Sequence, residues 1–191
     1  ERRTGSLLPA ADGSPFQVIG CVIDAPERFA AAGLMPSEEF TIRHGRHRGN
    51  RFWMFNPATD YYRRHLLLHE FVHCFMMCEH GMTDIPPLWY TEGIAELFAT
   101  HRLADGTPDF NSVGFGILPQ ETGGLDGWGR ISEIGRNFDS SPADEFEPAG
   151  IAPLSHVLNP RDTSFVDDIK YAHAWALCWM LSNHPDYRET F

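Results

Sequence analysis

The sequence predicts an α+β fold with a small N-terminal mixed β-sheet and a mainly helical remainder. Short apolar runs rich in β-branched and aromatic residues occupy the first part of the chain, at about residues 14–57. Stretches with helical spacing of apolar residues dominate residues 58–191. The chain has 191 residues, of which 42% are hydrophobic, so it can bury a core as a single domain.

Two patterns define the predicted sheet. Phe16–Asp24 is a β-rich apolar run that predicts the first strand, and Glu27–Leu34 has the pattern of a following helix. Phe40–His44 and Arg51–Asn56 flank the segment Gly45–Asn50, which predicts a hairpin with aromatic residues on its second strand. We interpret the arginines of the expected turn as a solvated surface.

The rest of the chain is predicted to be mainly helical. Tyr61–Gly81 and Leu88–Leu103 have apolar residues at helical spacing, and the proline-containing segment between them indicates a helical hairpin. Asp167–Asn183 predicts a third long helix, and Pro153–Leu158 predicts one or two helical turns. The glycine-rich segment Asn111–Pro148 has little periodicity and predicts long loops with short helices or strands.

Composition and charge exclude several classes of protein. The formal net charge of -11 argues against a protein that binds nucleic acid or anionic membranes, and the strongest basic cluster, Arg43–Arg51, is short. Because no apolar run reaches the roughly 20 residues of a membrane helix, we expect no membrane insertion. Four cysteines without a CxxC pair are expected to be buried thiols, or one or two disulfides if the protein is secreted: Cys21, Cys74, Cys78 and Cys178.

The first long predicted helix contains an HExxH motif. Residues four apart in a helix differ by about 40° in direction, so His69 and His73 face the same way and could bind one metal ion. Glu70 lies between them in angle and could take a proton from a metal-bound water. Because this helix has apolar residues in nearly every direction, we predict that it is buried, where a group of polar side chains needs partners.

A second pair of acidic residues lies on the next predicted helix. Residues 74–91 separate His73 from Glu92, and the turn between the helices would bring Glu92 to the ion as a third ligand. Glu96 lies one turn later, where a fourth ligand would close the site. We therefore expect it to accept the free N–H of a ligand histidine, first of all His69. Two histidines and one carboxylate leave a position for water, which predicts one catalytic Zn²⁺.

These motifs resemble those of the gluzincin metallopeptidases, the clan that includes thermolysin and the zinc aminopeptidases. The resemblance rests on HEFVH at 69–73, the spacing to Glu92 and WYTEGIAE at 89–96, and it is closest in style to bacterial gluzincin-like domains. It implies a zincin-like fold, with the HExxH helix as the floor of a cleft between a sheet lobe and a helical lobe. It also implies the site residues: zinc ligands His69, His73 and Glu92, the general base Glu70, and Glu96 in support of a ligand.

The resemblance further implies a hydrogen-bond donor opposite the metal and a strand for the substrate. In such families a tyrosine begins a late helix, which makes Tyr171 the first candidate donor; His173, two residues later and so facing another way, is the alternative. Arg51–Asn56 resembles the edge strand along which gluzincins bind an extended substrate. His65, one turn before His69, could line the cleft, but we expect an exposed or hydrogen-bonded histidine and leave it outside the site.

Three functions are compatible with the sequence. We favour a zinc metallopeptidase acting on a peptide or protein, in which Glu70 deprotonates water and then protonates the leaving amine. The absence of a GxMEN-like stretch before HExxH favours an endopeptidase. In the alternative, zinc only cross-braces two helices of a binding or structural module. In the third, the motif is coincidental in a metal-free interaction domain.

The chain ends carry two further expectations. Glu1 is not followed by the order of residues found in a signal peptide, which we interpret as a mature or trimmed chain, with a secreted or cell-envelope location favoured. Glu189–Phe191 has the pattern of another helix opening after Pro185, so we expect the natural protein to continue beyond it.

Overall fold

The computed structural model describes six segments of the chain: residues 17–36, 42–80, 86–104, 107–113, 154–158 and 168–191. Three of the five described strands lie before the first long helix, and the other two follow the second. In chain order the elements are β1 (Ile19–Ile23), α1 (Pro26–Ala31), β2 (Gly45–Arg48), β3 (Arg51–Phe55), α2 (Asp60–His80), α3 (Leu88–Ala99), β4 (His101–Ala104), β5 (Thr107–Val113), α4 (Leu154–Val157) and α5 (Asp168–Asn183). The predicted α+β class is confirmed.

The N-terminal sheet has β3 at its centre. β1 pairs with β3 in parallel and β2 pairs with β3 antiparallel, so the predicted mixed sheet is confirmed. The expectation that Arg51–Asn56 forms an edge strand is wrong, because β3 has a neighbour on each side. Among the described residues, the edges of this sheet are β1 and β2.

The central strand supplies the contact between the sheet and α2. Phe52 and Met54 of β3 are buried against Leu66 and Cys74 of α2. Trp53 points to the opposite face of the sheet, as alternation along a strand requires, and its indole N–H donates a hydrogen bond to Leu34 O at 2.7 Å. The aromatic run therefore fixes α2 on one face of the sheet and the end of the β1–α1 segment on the other.

The hairpin differs from its prediction in where the turn lies. We expected Phe40–His44 as a strand and Gly45–Asn50 as the turn, but β2 is Gly45–Arg48 and residues 42–44 are irregular. Gly49 has a φ of 58°, a left-handed conformation that glycine adopts without strain, so the chain reverses within Gly49 and Asn50. Edge strands often carry charged residues, and those of β2 made its strand pattern difficult to recognise in the sequence.

Helix α2 is capped as a helix start should be, but it is not buried on every side. The N–H of Tyr62 donates to Thr59 Oγ1 at 3.4 Å, which satisfies one of the first backbone donors of the helix. The predicted burial in nearly all directions is wrong along one stripe, where Leu67, Phe71 and Phe75 are 38–40% exposed. Residues four apart share one side of a helix. Other sides of α2 are covered by described elements that include β2, β3, α3 and α5.

Helix α3 is shorter than predicted. We expected a helix over Leu88–Leu103, but it ends at Ala99, and His101–Ala104 forms β4, which pairs antiparallel with β5. Thr100 has an extended backbone, with φ -69° and ψ 122°, and its hydroxyl donates a hydrogen bond to Glu96 O at 2.8 Å. A strand of four residues is too short for its alternation to be distinguished from the end of a helix.

Helix α5 confirms the predicted helix over Asp167–Asn183 from residue 168 onward and packs against α3. Trp175, 1% exposed, lies in the core that the two helices form with α2. The backbones of α3 and α5 meet at Gly93. A Cβ atom at this position would lie 2.5 Å from both Ala174 O and Cys178 Sγ.

Two shorter predictions concern the last part of the chain. α4 confirms the helical turn expected within Pro153–Leu158. The helix expected to open at Glu189–Phe191 is absent from the described residues, which form turns there; the N–H groups of Tyr187 and Arg188 both donate to His184 O. The chain folds back instead, so that Phe191 packs edge-on against Tyr90 with ring centroids 5.8 Å apart.

Some predictions lie outside the described residues. Of the glycine-rich segment Asn111–Pro148, only residues 111–113 are described, and they belong to β5. The expected helix end at Gly81 also lies outside the described segments. Cys21, Cys74 and Cys178 are free thiols. None of the helices within the described segments is long and apolar enough to span a membrane.

Replacement of Gly93 by alanine tests the contact between α3 and α5. Inside a helix this change ordinarily stabilises by about 1 kcal/mol. Here we expect the free energy of unfolding to fall by about 1–3 kcal/mol, because the new methyl group would meet backbone atoms that cannot rotate away. Urea denaturation of the two proteins measures the difference. A variant as stable as the wild type would show that the helices are not in contact at this point.

Candidate metal centre

The two motif histidines bring their ring nitrogens together inside the protein. His69 and His73 lie one turn apart on α2 and are 7% and 5% exposed. Their Nε2 atoms are 3.0 Å apart, and the rings meet edge to face with centroids 4.6 Å apart. Two buried imidazoles with converging Nε2 atoms are a typical pair of metal ligands.

Helix α3 adds a carboxylate to this pair. Glu92 Oε2 lies 3.1 Å from His73 Nε2 and 3.3 Å from His69 Nε2. A tetrahedral ion with bonds of about 2.0–2.1 Å holds its ligand atoms about 3.3 Å apart, close to the three separations of this triangle. His69, His73 and Glu92 therefore form a buried group that could hold a metal ion.

Glu96 lies behind the triangle, on the far side of His69. Its Oε1 atom is 2.9 Å from His69 Nδ1, the ring nitrogen that faces away from Glu92, and the side chain is only 3% exposed. A carboxylate in this position fixes the orientation and tautomer of a ligand histidine. The structure thus places Glu96 beside His69, the histidine to which the sequence assigned it.

His65, which the sequence analysis left outside the site, belongs to the same buried network. It is 4% exposed, and its Nε2 atom lies 3.2 Å from Glu96 Oε2. His65, His69 and Glu96 also form a group with the spacing of metal ligands. We interpret the three as a supporting network, because His69 Nδ1 is at hydrogen-bond distance from Glu96. The i, i+4 spacing of His65 and His69 was the sequence pattern that could have identified His65 as part of the site.

Glu70 lies beside the triangle without being part of it. It is 5% exposed, and its Oε2 atom is 3.3 Å from Nδ1 of His47 on strand β2. Gly45 of the same strand approaches the other oxygen so closely that a Cβ atom at Gly45 would contact Oε1 and lie 2.8 Å from Glu70 Cγ. The carboxylate is therefore held between α2 and β2, where His47 connects it to the ring of His73.

His47 is the site residue that sequence reasoning missed. Its ring stacks on the ring of His73 with centroids 4.4 Å apart, and it contacts Glu70. The sequence analysis placed it in a solvated turn. With the strand at Gly45–Arg48, the alternation of side chains directs Gly45 and His47 to the same face, toward α2. The period-2 pattern of that short segment was the only available signal.

Helix α5 brings Tyr171 to the ligand group. The Tyr171 ring meets the ring of His69 edge to face, with centroids 6.0 Å apart, and the residue is partly buried. His173 is also partly buried on α5, two residues further along, where a helix turns the side chain by about 200°. Of the two candidate donors, the structure thus brings Tyr171 into ring contact with a ligand histidine.

Interactions with neighbouring carboxyl groups give His69 the highest pKa in the metal-free triangle. Burial lowers the pKa of His69, but hydrogen bonds and charges from Glu92 and Glu96 outweigh it and raise the pKa from 6.5 to about 10. Burial dominates at His73 and lowers its pKa. Burial raises the pKa of Glu92, but the two histidines outweigh this effect and hold it far below its ordinary value of 4.5. Without metal, His69 therefore holds a proton beside the Glu92 carboxylate.

Comparisons of the chain with family models, with curated protein sequences and with solved structures give no match.

Removal of the Glu92 carboxylate should abolish stable metal binding. In Glu92→Ala two histidines remain, which is one ligand fewer than catalytic zinc sites use. We expect one ion per chain in the wild type after reconstitution with zinc and dialysis, and less than about a tenth of that in the variant. Inductively coupled plasma mass spectrometry measures the content. Glu27→Ala, on the exposed surface of α1, is the matched control and should keep the ion. Equal metal in both variants would contradict the three-ligand group.

The metal affinity should depend on pH well above the ordinary range of histidine. An ion must displace the proton of His69, whose pKa is about 10 in the metal-free protein. Proton competition therefore weakens by about tenfold for each pH unit, so the affinity should rise about tenfold per unit between pH 7 and 9. Competition with a chromophoric chelator at pH 7, 8 and 9 measures it. An affinity that levels off above about pH 7.5 would mean that His69 has an ordinary pKa.

Proposed function

We propose that this chain is a zinc-dependent metallopeptidase of the gluzincin type, with a zincin-like fold and endopeptidase activity on peptides or proteins. One observation carries the proposal. A buried His–His–Glu triangle with the spacing of metal ligands is accompanied by a further buried carboxylate, Glu70, whose partner His47 stacks on the ring of His73. Hydrolysis assisted by a metal requires both parts, the ion and a base next to it.

The donor set favours zinc. Two imidazole nitrogens and one carboxylate are the ligands of one known class of catalytic zinc sites, whereas Mg²⁺ and Ca²⁺ prefer oxygen ligands only. Bound by His69, His73 and Glu92, the ion would supply Lewis-acid chemistry, polarising a water and the scissile carbonyl. Glu96 would keep His69 in the tautomer that binds through Nε2.

Glu70 is assigned as the general base and acid. It would take a proton from the attacking water and deliver it to the amine that leaves when the C–N bond breaks. Its carboxylate is held in place by the hydrogen bond with His47 and by the close backbone at Gly45. A base fixed in this way reaches the water without first adopting a new rotamer, which supports its function in catalysis.

Tyr171 is assigned as the hydrogen-bond donor to the carbonyl oxygen. Negative charge develops on that oxygen as water attacks, and a phenolic O–H directed at it would stabilise the transition state. The contact of its ring with the ring of His69 supports this assignment. Glu70 contacts His47 of β2, whereas Tyr171 belongs to α5. The base and the donor would thus be presented by different elements of the fold.

The strand assigned to the substrate is now β2. An extended peptide can add to the edge of a sheet through main-chain hydrogen bonds. β2 is an edge of the described sheet, and its residues Gly45 and His47 contact Glu70. A peptide added to β2 would therefore pass close to the base and the ligands, which β3 at the centre of the sheet does not allow.

A structural zinc brace is the second candidate. Its support is that the ligands come from two packed helices and are themselves largely buried, with Glu92 at 13% side-chain exposure. A brace would need three or four ligands and no base. The position of Glu70, held beside the ligands by a second element, favours the peptidase.

Replacement of Glu70 by glutamine distinguishes the two functions. We expect Glu70→Gln to keep one zinc per chain, since the residue is not a ligand, and to lower peptide hydrolysis by at least about 10²-fold, the usual contribution of a general base. Zinc content and cleavage of a quenched fluorescent peptide library are measured on the same sample. Glu27→Gln is the matched control. Undiminished hydrolysis would exclude Glu70 as the base, and a zinc-loaded wild type inactive on every peptide would favour the brace.

A further inference from the structure

The hairpin beside the candidate site is cationic in an acidic protein. Four arginines occur between residues 43 and 51, and no acidic residue occurs between residues 40 and 59. The whole chain carries a formal net charge of -11 with only 15 lysines and arginines. The sign of the charge therefore reverses locally at the strand that lies next to Glu70.

Strand β2 divides these charges between its two faces. Gly45 and His47 are partly buried toward α2, whereas Arg46 and Arg48 are exposed. Successive side chains of a strand point to opposite faces. Both arginines therefore lie on the face turned away from Glu70, one on each side of His47 along the strand.

A peptide paired with β2 must follow the same alternation. Directly opposite residues of two paired strands share a face, with Cβ atoms about 4.5–5.5 Å apart. The peptide residue opposite His47 would face Glu70 and the ligands. Its two neighbours in the peptide would lie beside Arg46 and Arg48.

We propose that β2 selects extended peptides with an acidic side chain on each side of the residue that faces the metal ligands. This inference rests on the proposed function and specifies its substrate class. Guanidinium groups pair with carboxylates through two parallel hydrogen bonds, so glutamate and aspartate fit these positions better than neutral side chains do. The net negative charge of the whole protein repels acidic peptides, so the attraction between the two arginines and the carboxylates of a peptide is local. At 0.1 M salt it is screened beyond about 10 Å.

The test compares the binding of matched peptides by the zinc-loaded Glu70→Gln protein. Because this variant is expected to hydrolyse peptides very slowly, the measured binding does not depend on turnover. Three labelled octapeptides of one sequence carry Glu, Gln or Lys at both flanking positions. We expect the Glu peptide to bind about 2- to 30-fold more tightly than the Gln peptide, as two cross-strand charge pairs predict, and the Lys peptide most weakly. Fluorescence anisotropy at 50 and 300 mM salt measures the dissociation constants, and the preference should shrink at the higher salt.

Removal of the two arginines should remove the preference. In the same background, Arg46→Gln with Arg48→Gln should bind the Glu and Gln peptides equally well. Arg28→Gln with Arg188→Gln changes the net charge by the same amount at exposed positions elsewhere and should keep the preference. Circular dichroism checks that both proteins fold; if the β2 double variant does not, Arg48→Gln alone should halve the preference or reduce it further.

The outcomes separate this proposal from the proposed function. Equal affinity of the unmodified β2 for Glu and Gln peptides, or a preference that survives the loss of Arg46 and Arg48, would overturn the acidic selectivity. A wild-type protein that binds the Glu peptide selectively but hydrolyses none would overturn the peptidase function and retain β2 as an acidic-peptide site. Hydrolysis of all three peptides at equal rates, together with equal binding, would leave the peptidase function in place and exclude the selectivity.

Discussion

The packing of α2 against α3 depends on one buried histidine that lies between two carboxyl groups. His69 on α2 contacts Glu92 and Glu96 of α3, and buried polar groups are costly unless each has a partner. α2 and α3 must therefore pack in the register that brings these side chains together. α5 also packs closely against α3, where Gly93 has no side chain to separate the two helices. Its Trp175 shares one buried core with residues of α2 and α3.

Local patterns were sufficient to predict the helices and the members of the ligand triangle. The HExxH spacing sets two histidines on one face of any helix, and the prolines before Leu88 predicted that a second helix would bring Glu92 to them. The long helices, including α5, have enough turns for their apolar spacing to be unmistakable. The zincin-like fold itself stays a prediction, since the described residues establish only the α+β class and the small mixed sheet.

Long-range contacts account for what the sequence did not reveal. β2 is short and polar, so its strand character depends on pairing with β3 rather than on its own residues, and His47 was missed with it. Helix α3 ends earlier than predicted because His101–Ala104 pairs with β5, and no local sequence pattern indicates this pairing. His65 is buried, and its partner Glu96, which lies 3.2 Å away, is 31 positions distant in the chain. Each of these outcomes is decided by a neighbour distant in the chain.

The central position of β3 affects the conformational entropy that a peptide would lose on binding to β2. β2 is joined to β3 by a turn of two residues, and β3 is anchored by the buried side chains of Phe52, Trp53 and Met54. The strand to which we propose that a peptide adds is thus paired along its length with a buried strand. The conformational entropy lost on association then falls on the incoming chain, so stiff, already extended segments would bind with the smallest penalty.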